Sequence, residues 1–292
     1  MLPAEVRGIA FNPATASENR IHADDVAQRF GFRGGLVPGV VVYAYLVEPA
    51  LIAWGRDWLE QGVASLALRR PLYEGTAFRV EVEPIGEAAY RGRVLDQEGE
   101  LCAEGLVARN DPDATTIADP ASRLQAPAER EALAKVPRAP IRRGDALAPA
   151  REHRPEASRA ALEAMPHGRL GAIDIEWRAT AETATTTRDP EAMQDLVRAD
   201  REGLANPGFV LGLANWILAA NVRLQPWIHV SSQTRHLGTI PLGTLLRVEA
   251  SVVGFESRRA GEIVELAVAA FDGDRPVLAT RHRAIYLLAE RS

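Results

Sequence analysis

One short segment of the chain brings together residue types that could carry acid–base chemistry. Residues 17–39, SENRIHADDVAQRFGFRGGLVPG, place His22 in a polar turn, followed by a short amphipathic stretch, a glycine cluster and a Pro-Gly pair. A neutral imidazole titrates near pH ~6.5, so it can accept and return a proton under ordinary conditions. We therefore take His22 as the candidate general base.

Gly39 is the second candidate, because it begins a long apolar segment that predicts a buried helix. The first N–H groups of a helix have no partner within the helix and lie at the positive end of its dipole. Such a donor can stabilise an oxyanion, and glycine would let an acyl group approach closely. We expect His22 on a turn that packs over this helix start, with Asn19 holding the turn or orienting the imidazole.

These residues also have a purely structural interpretation. His22 and Asn19 would both suit a capped turn at the surface. Asp24 and Asp25 would suit the first turn of a helix, where the dipole favours acidic side chains, although either could stand in for a catalytic carboxylate. The segment alone leaves both interpretations open.

Several other polar residues have weaker assignments. Arg69 and Arg70 would be charges on a sheet surface or partners for phosphate groups. His236 and His282 lie beside arginine in strand-like runs and are interpreted as structural or interface residues, and the pair 231–232 (Ser-Ser) lacks the Gly-x-Ser-x-Gly context of a nucleophile. No Walker loop, Rossmann fingerprint or zinc motif is present, so no metal and no cofactor are predicted.

The elements that must position the candidate residues occur twice. Pro-Gly pairs at 38–39 and 207–208 each open a long apolar segment. Gly75 and Gly243 precede the similar alternating segments TAFRVEVE and TLLRVEAS. Their separation along the chain equals that of the two Pro-Gly pairs to within one residue. Two anchors that keep the same register to one residue predict a structural duplication.

Each repeat has the same order of elements: a strand, a polar turn, a short helix, a long apolar helix and four strands. In the first repeat the four strands are predicted near 63–70, 76–84, 88–96 and 100–109. Their alternation has a period of about two, which indicates one buried face. A helix that is apolar on every face, followed by enough antiparallel strand to wrap it, predicts an α+β fold.

The repeats divide the chain into two units. We predict a first unit over 1–110, an Ala- and Pro-rich connector over 111–168 with one short helix, and a second unit over 169–292. Aligned from the second Pro-Gly pair, Glu191 falls opposite the histidine of the first repeat, and Thr186 falls opposite its serine. One site is therefore expected, in the first unit, with the second unit contributing pocket wall.

The composition narrows the class of protein. With 292 residues, of which 47% are hydrophobic, the chain can bury a large core, and a net charge of −5 argues against nucleic-acid and membrane partners. Cys102 is the only cysteine, and the first residues lack the regions of a signal peptide, so a cytoplasmic protein is expected. Residues 37–54 are as long as a membrane span, but Glu48 and Pro49 interrupt them, which favours a buried helix.

The order of elements resembles a double hotdog fold, in which each of two units is an antiparallel sheet wrapped around a long central helix. The segment 17–39 resembles the signature of MaoC-like, R-specific enoyl-CoA hydratases and dehydratases, which runs roughly Asp-x-Asn-Pro-x-His, a helix, a glycine-rich stretch and a Pro-Gly or His-Gly helix start. RRPLYEGTAFRVEVE also resembles the family's "rrPvypGd" strand turn. The residues that match the segment's signature are Asn19, His22, Gly34, Gly35, Pro38 and Gly39.

The resemblance implies addition of water to, or its removal from, an acyl thioester of coenzyme A or acyl carrier protein, with no cofactor. It implies His22 as base and the Gly39 N–H as oxyanion donor. The pairing of the two units would make a pseudo-dimer within one chain, and further assembly into a homo-oligomer stays open. Ser17 and Asn19 are predicted as catalytic residues together with His22. The residues predicted to bind substrate are Gly34, Gly35, Pro38, Gly39, Arg69 and Arg70.

The chain departs from the family at Ser17, where the signature has its catalytic Asp. A serine hydroxyl can hold water but is a poor base, so three hypotheses stand: a hydratase or dehydratase that works without the Asp, a hotdog thioesterase, and a non-catalytic acyl-thioester-binding or partner subunit. Related dehydratases of fatty-acid synthesis carry a Glu in the central helix, five residues after the Gly. Ala44 and Leu213 occupy that position here, which excludes this variant.

Overall fold

The computed structural model describes residues 1–15, 17–110, 140–142, 154–176, 203–241 and 243–289. Its helices are α1 (Asp24–Arg29), α2 (Gly39–Trp54), α3 (Arg56–Gln61), α4 (Arg159–Glu163) and α5 (Pro207–Asn221), with 3-10 turns at Arg20–His22 and Pro166–Gly168. The strands of the first unit are β1 (Glu5–Ile9), β2 (Val63–Leu68), β3 (Ala77–Ile85), β4 (Ala89–Asp96) and β5 (Leu101–Ala108). The remaining strands are β6 (Pro140–Arg142), β7 (Arg169–Glu176), β8 (Ile228–His236), β9 (Leu245–Arg258), β10 (Gly261–Asp272) and β11 (Arg275–Leu288).

The two long helices begin at the predicted Pro-Gly pairs. Every residue of α2 from Val41 to Leu51 is buried, including Glu48, whose exposed fraction is 0%. No helix in the described part of the chain is both long enough and apolar enough to cross a membrane. The interpretation of the segment as a buried central helix is therefore confirmed.

The strands form one sheet whose order repeats. The sheet runs β1-β3-β4-β5-β2-β8-β11-β10-β9-β7-β6. The first unit, β1 to β5, and the second unit, β7 to β11, each place their strands in the order first, third, fourth, fifth, second, counted from the outer edge. The predicted duplication is confirmed, and so are the four strands predicted between 63 and 109.

The seam between the units is the antiparallel pair β2–β8, in which Val63 lies opposite Arg235 and Ala67 lies opposite Ser231. The two sheets are therefore joined edge to edge by backbone hydrogen bonds, as a pseudo-dimer within one chain. The central helices also touch, because a Cβ atom on Gly208 would lie only 2.9 Å from the carbonyl oxygen of Val40 in α2.

Glycines turn the strands where the repeat predicted them. Gly75 and Gly243 have φ angles of 72° and 84°, and they precede β3 and β9. The hairpins β4–β5 and β10–β11 turn at Gly99 and Gly273, which also have positive φ. A residue with a side chain is strained in this region of φ, so glycine is favoured at all four turns.

The connector is described only in part. Pro140–Arg142 pairs in parallel with β7, and Ala157 and Leu162 are buried in the core of the second unit. The predicted short helix and polar turn of the second repeat, with Thr186 and Glu191, lie outside the described residues. The boundaries at 110 and 168 stay predictions.

Candidate active site

His22 ends a 3-10 turn that packs against the loop leading into α2. Its Nδ1–H donates to the carbonyl oxygen of Leu36 at 2.7 Å. A carbonyl can only accept, so this bond places the proton of the neutral ring on Nδ1 and leaves a lone pair on Nε2. The nitrogen that could act as a base is therefore Nε2.

The surroundings of His22 keep its ring neutral. Burial lowers the pKa of His22 to about 4, and the Leu36 carbonyl, which favours the charged ring, offsets this only in part. Removing an imidazole from water disfavours its charged form. At neutral pH the Nε2 lone pair is consequently free of a proton, as a general base requires.

Asn19 joins His22 to the second unit. Its Nδ2 lies 3.2 Å from the Nε2 of His22 and donates to the carbonyl oxygen of Trp227 at 2.9 Å. The N–H of Trp227 in turn donates to Asn19 Oδ1 at 3.1 Å. Because Trp227 directly precedes β8, the amide of Asn19 orients the imidazole and fixes the turn against the other unit.

Apolar packing places the turn at the same junction. Ile21 and Leu36 are buried in a small cluster against which Ile228, the first residue of β8, also packs. The candidate base therefore sits between the units rather than on one of them.

Ser17 and the two aspartates have local partners. The hydroxyl of Ser17 donates to the carbonyl oxygen of Asn19 at 3.1 Å. Asp24 accepts from the N–H of Gly35 at 2.7 Å, and Asp25 pairs with Arg20 at 3.4 Å. In this geometry Ser17 and Asp24 hold the turn and the glycine loop.

The glycine cluster packs against the backbone of the histidine turn. A Cβ atom on Gly35 would lie 2.2 Å from the carbonyl oxygen of His22, and one on Gly34 would lie 3.0 Å from Asp24 Oδ1. The same His22 carbonyl accepts from Asn12 Nδ2 at 2.9 Å. Gly35 is therefore needed for the position of the turn, and its contact with a substrate stays a prediction.

Gly35→Ala is expected to destabilise the protein by about 2 kcal/mol or more, because backbone atoms cannot move aside as a flexible side chain can. The matched control is Gly212→Ala, since Gly212 lies inside α5 with no atom within 4 Å of an added Cβ. That substitution should stabilise the protein by about 0.5–1 kcal/mol, because alanine favours helix. Urea denaturation measures both, and a Gly35→Ala variant as stable as wild type would contradict the packing described here.

The starts of the two central helices differ. No side chain caps α2, which Pro38 precedes, whereas Asn206 caps α5 by accepting from the Phe209 N–H at 2.9 Å. The start of α5 is also closed by the packing of Gly208 against α2. Of the two starts, that at Gly39 is the one without a capping side chain, which supports the expectation of a single site in the first unit.

The seam of the sheet closes over Gly39. A Cβ atom on Gly39 would lie 2.5 Å from Leu68 Cδ1, at the end of β2, and 2.7 Å from His229 Nδ1, on β8. Glycine is thus required at this helix start by packing against both units. Close approach of a substrate, the reason for glycine that the sequence suggested, would be a second requirement and stays a prediction.

His229 is the residue that the sequence analysis missed. Its ring stacks on that of His282 with centroids 4.3 Å apart, and both side chains are buried. Among the described residues, no ring nitrogen of either histidine has a hydrogen-bond partner, and neither does the buried hydroxyl of Ser232. In native structures such groups call for a water molecule or a ligand.

The other histidine of β8 is satisfied within the protein. His236 Nε2 lies 3.0 Å from the hydroxyl of Tyr43. The backbone N–H of His236 donates across the seam to the Gly62 carbonyl at 2.8 Å. Burial lowers the pKa of His236 to about 3. These contacts match the structural or interface role predicted for His236, whereas His282 has no such partner.

Arg69 and Arg70 follow Leu68 and are exposed. Arg69 pairs with Glu104 at 2.8 Å, and Arg70 pairs with Glu100 at 2.6 Å. Arg69 also lines a groove of about 560 Å³ over the seam, none of whose lining residues belongs to the segment 17–39. Both arginines are therefore paired surface charges close to the Gly39 end of α2.

No family model matches the chain, and no curated protein matches it. Among solved structures, a Chloroflexus aurantiacus protein described as a MaoC domain dehydratase is similar over 100% of this chain and 96% of its own, with a TM-score of 0.53 and 15% identity. A MaoC-like dehydratase is similar over 97% and 96%, with a TM-score of 0.51 and 12% identity.

A conserved Mycobacterium tuberculosis protein described as having a double hotdog fold is similar over 95% of this chain and 93% of its own. Its TM-score is 0.50 and its identity 18%. At these identities the likeness establishes the architecture, and the chemistry has to be argued from the site.

Proposed function

We propose that this chain, which has the double hotdog fold, is a MaoC-like enzyme that adds water to an enoyl thioester or removes it from a 3-hydroxyacyl thioester. The observation that carries the proposal is the junction at one end of α2. There one segment of the chain, residues 19–39, supplies a neutral imidazole, an amide that binds the second unit and an uncapped helix start.

In the hydration direction, His22 Nε2 accepts a proton from water while the water oxygen bonds to the β-carbon of the enoyl group. The electron pair of the double bond moves toward the carbonyl, and the resulting enolate oxygen receives a hydrogen bond from the Gly39 N–H. The imidazolium then returns its proton to the α-carbon. Dehydration is the reverse sequence.

The carbonyl that anchors the base lies only three residues before the oxyanion donor, which supports their cooperation. The Nδ1–H bond to Leu36 fixes the ring three residues before Gly39, and it stabilises the imidazolium formed during proton transfer. The contact of Asn19 with Nε2, at 3.2 Å, lies at the long end of the hydrogen-bond range, and the proposed reaction requires a water molecule to replace it.

The position of Arg69 and Arg70 supports a carrier with phosphate groups. Leu68 packs against Gly39, and the two arginines follow it with side chains that are 54% and 63% exposed. Such surface ion pairs contribute little to stability, so their rearrangement toward a phosphate would cost little. We propose coenzyme A or acyl carrier protein as the carrier, no cofactor, and a cytoplasmic location.

Thioester hydrolysis is the second candidate, and Ser17 is the observation that favours it. The Ser17 hydroxyl binds the Asn19 backbone and brings no carboxylate to the site. A single base at His22 and an oxyanion donor at Gly39 would suffice for water to attack the thioester carbonyl.

One assay separates these candidates. Crotonyl-CoA and the saturated butyryl-CoA are incubated with the protein, while absorbance of the conjugated thioester and release of free thiol are followed together. A hydratase consumes the conjugated thioester without releasing thiol, whereas a thioesterase releases thiol from both substrates. Saturable binding with neither change would favour a non-catalytic acyl-thioester-binding subunit, and the absence of binding would refute the proposal.

Ser17→Asp is expected to raise kcat/KM for crotonyl-CoA hydration about tenfold, because a carboxylate near His22 can hold water and accept its proton. This lies below the usual range for one acid–base group, since the substitution also removes the bond to Asn19. Ser17→Ala is the control, as it loses the same bond without gaining a carboxylate. No gain in a folded Ser17→Asp variant relative to Ser17→Ala would argue for other chemistry.

A further inference from the structure

We propose that His229 of the second unit donates a hydrogen bond to the same acyl carbonyl oxygen to which the Gly39 N–H donates. The two donors would then form one oxyanion site, with one donor from each unit. This role rests on the proposed function, because it requires an acyl thioester at the start of α2.

The first support is that His229 is buried without a partner. Its exposed fraction is 4%, and neither ring nitrogen has a hydrogen-bond partner among the described residues. A neutral imidazole carries one N–H donor and one lone pair, and both are costly to bury unsatisfied. Stacking on His282 supplies neither an acceptor nor a donor.

The second support is an irregularity of β8 that turns His229 inward. Ser232, Thr234 and His236 alternate as inward, buried residues, so regular pairing would turn His229 outward. The pairing with β11 shifts at this point: Arg283 lies opposite Ser231, but Ala284 lies opposite His229. Val230 is thus an extra residue in β8.

Such bulges re-aim a side chain and are common beside active sites. Here the bulge directs the imidazole to Gly39, where the Nδ1 atom lies 2.7 Å from the position of a Cβ.

The third support is the charge state of the ring. Burial lowers the pKa of His229 to about 4, and the backbone of Ser231, which favours the charged ring, offsets this only in part. A neutral N–H does not transfer its proton readily, so it can stabilise an enolate oxygen by hydrogen bonding alone. The uncapped Gly39 N–H offers one donor, and an enolate oxygen has room for two.

The test uses three variants of the full chain. His229→Phe keeps an aromatic ring without nitrogen atoms, and His229→Gln restores a side-chain N–H. His236→Phe is the control, because it removes a buried imidazole from the same strand at a place bonded to Tyr43 rather than facing Gly39. Loss of an unsatisfied buried group should not lower Tm, so His229→Phe is expected to fold.

Two readouts are taken. For crotonyl-CoA, His229→Phe should lower kcat/KM by about 10²-fold, His229→Gln should recover part of the loss, and His236→Phe should retain most of the wild-type value. The second readout uses a ¹³C-carbonyl ketone analogue of butyryl-CoA, with a methylene group in place of the sulfur. Its bound carbonyl resonance should move downfield in wild type, and less so in His229→Phe.

The outcomes separate this role from the proposed function. Unchanged kcat/KM and an unchanged ¹³C shift in folded His229→Phe would overturn the role of His229 while leaving the function intact. Wild-type binding with a downfield shift, but without turnover, would support the carbonyl site and overturn the enzyme assignment. Wild-type protein that neither binds the analogue nor acts on a thioester would overturn both.

Discussion

Replacement of His22 by asparagine is expected to lower kcat/KM for crotonyl-CoA hydration by about 10²–10⁴, the range for one positioned acid–base group. Asparagine can place an N–H near the position of Nδ1 and so keep the bond to the Leu36 carbonyl. It has no counterpart of the Nε2 lone pair. The variant therefore removes the proposed base with the least disturbance of the turn, and steady-state kinetics beside a thermal melt measure both effects.

The control for this variant is Asn12→Ala, which removes a hydrogen bond to the backbone carbonyl of His22 and leaves the imidazole in place. It should affect stability more than the rate. For wild type, kcat/KM should stay level from pH 7 down to the pH at which the protein begins to unfold, because burial lowers the pKa of His22 to about 4 and Nε2 remains unprotonated in the folded protein. A folded His22→Asn variant with wild-type kinetics would refute the catalytic role and leave His22 as a structural turn residue.

Acidification from pH 7 to pH 4 is expected to unfold the protein, because three buried histidines and the half-buried His22 are neutral in the folded state. Burial lowers the pKa of His22 and His229 to about 4 and of His236 to about 3, and it holds the pKa of His282 well below its usual value. In the unfolded chain each would titrate near pH ~6.5. As the pH falls below that value the unfolded state binds protons that the folded state does not, so stability falls toward the folded pKa values.

The expected loss is large compared with the stability of a typical domain. Each of these four histidines contributes roughly 1–1.5 kcal/mol per pH unit in this window, so together they contribute roughly 5 kcal/mol per unit, against a total stability of about 5–15 kcal/mol. Urea denaturation midpoints are measured between pH 6.5 and 5, above the range where most carboxylates titrate. Their change with pH gives the number of protons taken up on unfolding. His236→Phe should lower that number by about one, and a midpoint that does not change over this window would contradict the buried neutral state.

The sequence predicted those parts of the fold that depend on local patterns. Pro-Gly pairs begin both long helices, and Gly75 and Gly243 adopt the positive φ that a sharp turn requires. These signals act within a few residues, so they are visible without knowledge of the partners. The duplication then follows because the same signals recur in register.

The site was predicted less completely, because its contacts cross between the units. The hydrogen bonds between Asn19 and Trp227 join residues far apart in the chain, and no local sequence pattern predicts them. His229 was missed for a different reason. Strict alternation places it on the outer face with Ser231, and the extra residue that turns it inward depends on pairing with β11.

The role of Ser17 was inferred by analogy with a family motif, and its place in the catalytic site stays a prediction. Ser17 occupies the position of the catalytic Asp in the signature, and in the structure its hydroxyl donates to the Asn19 backbone. A residue type can be compared with a family motif from sequence, but the atom to which its side chain points depends on the fold of the turn.

The unequal helix starts have a consequence for how such a chain can evolve. In a symmetric homodimer every substitution occurs twice, so a mutation that closes one active site closes both. Fusion into a single chain removes this coupling, so substitutions in each half can be selected independently. Asn206 illustrates the freedom: its cap stabilises α5 by about 1 kcal/mol, while the equivalent start of α2 carries no such cap. One half of the chain can thus accumulate stabilising substitutions that compensate for an energetically unfavourable functional surface in the other.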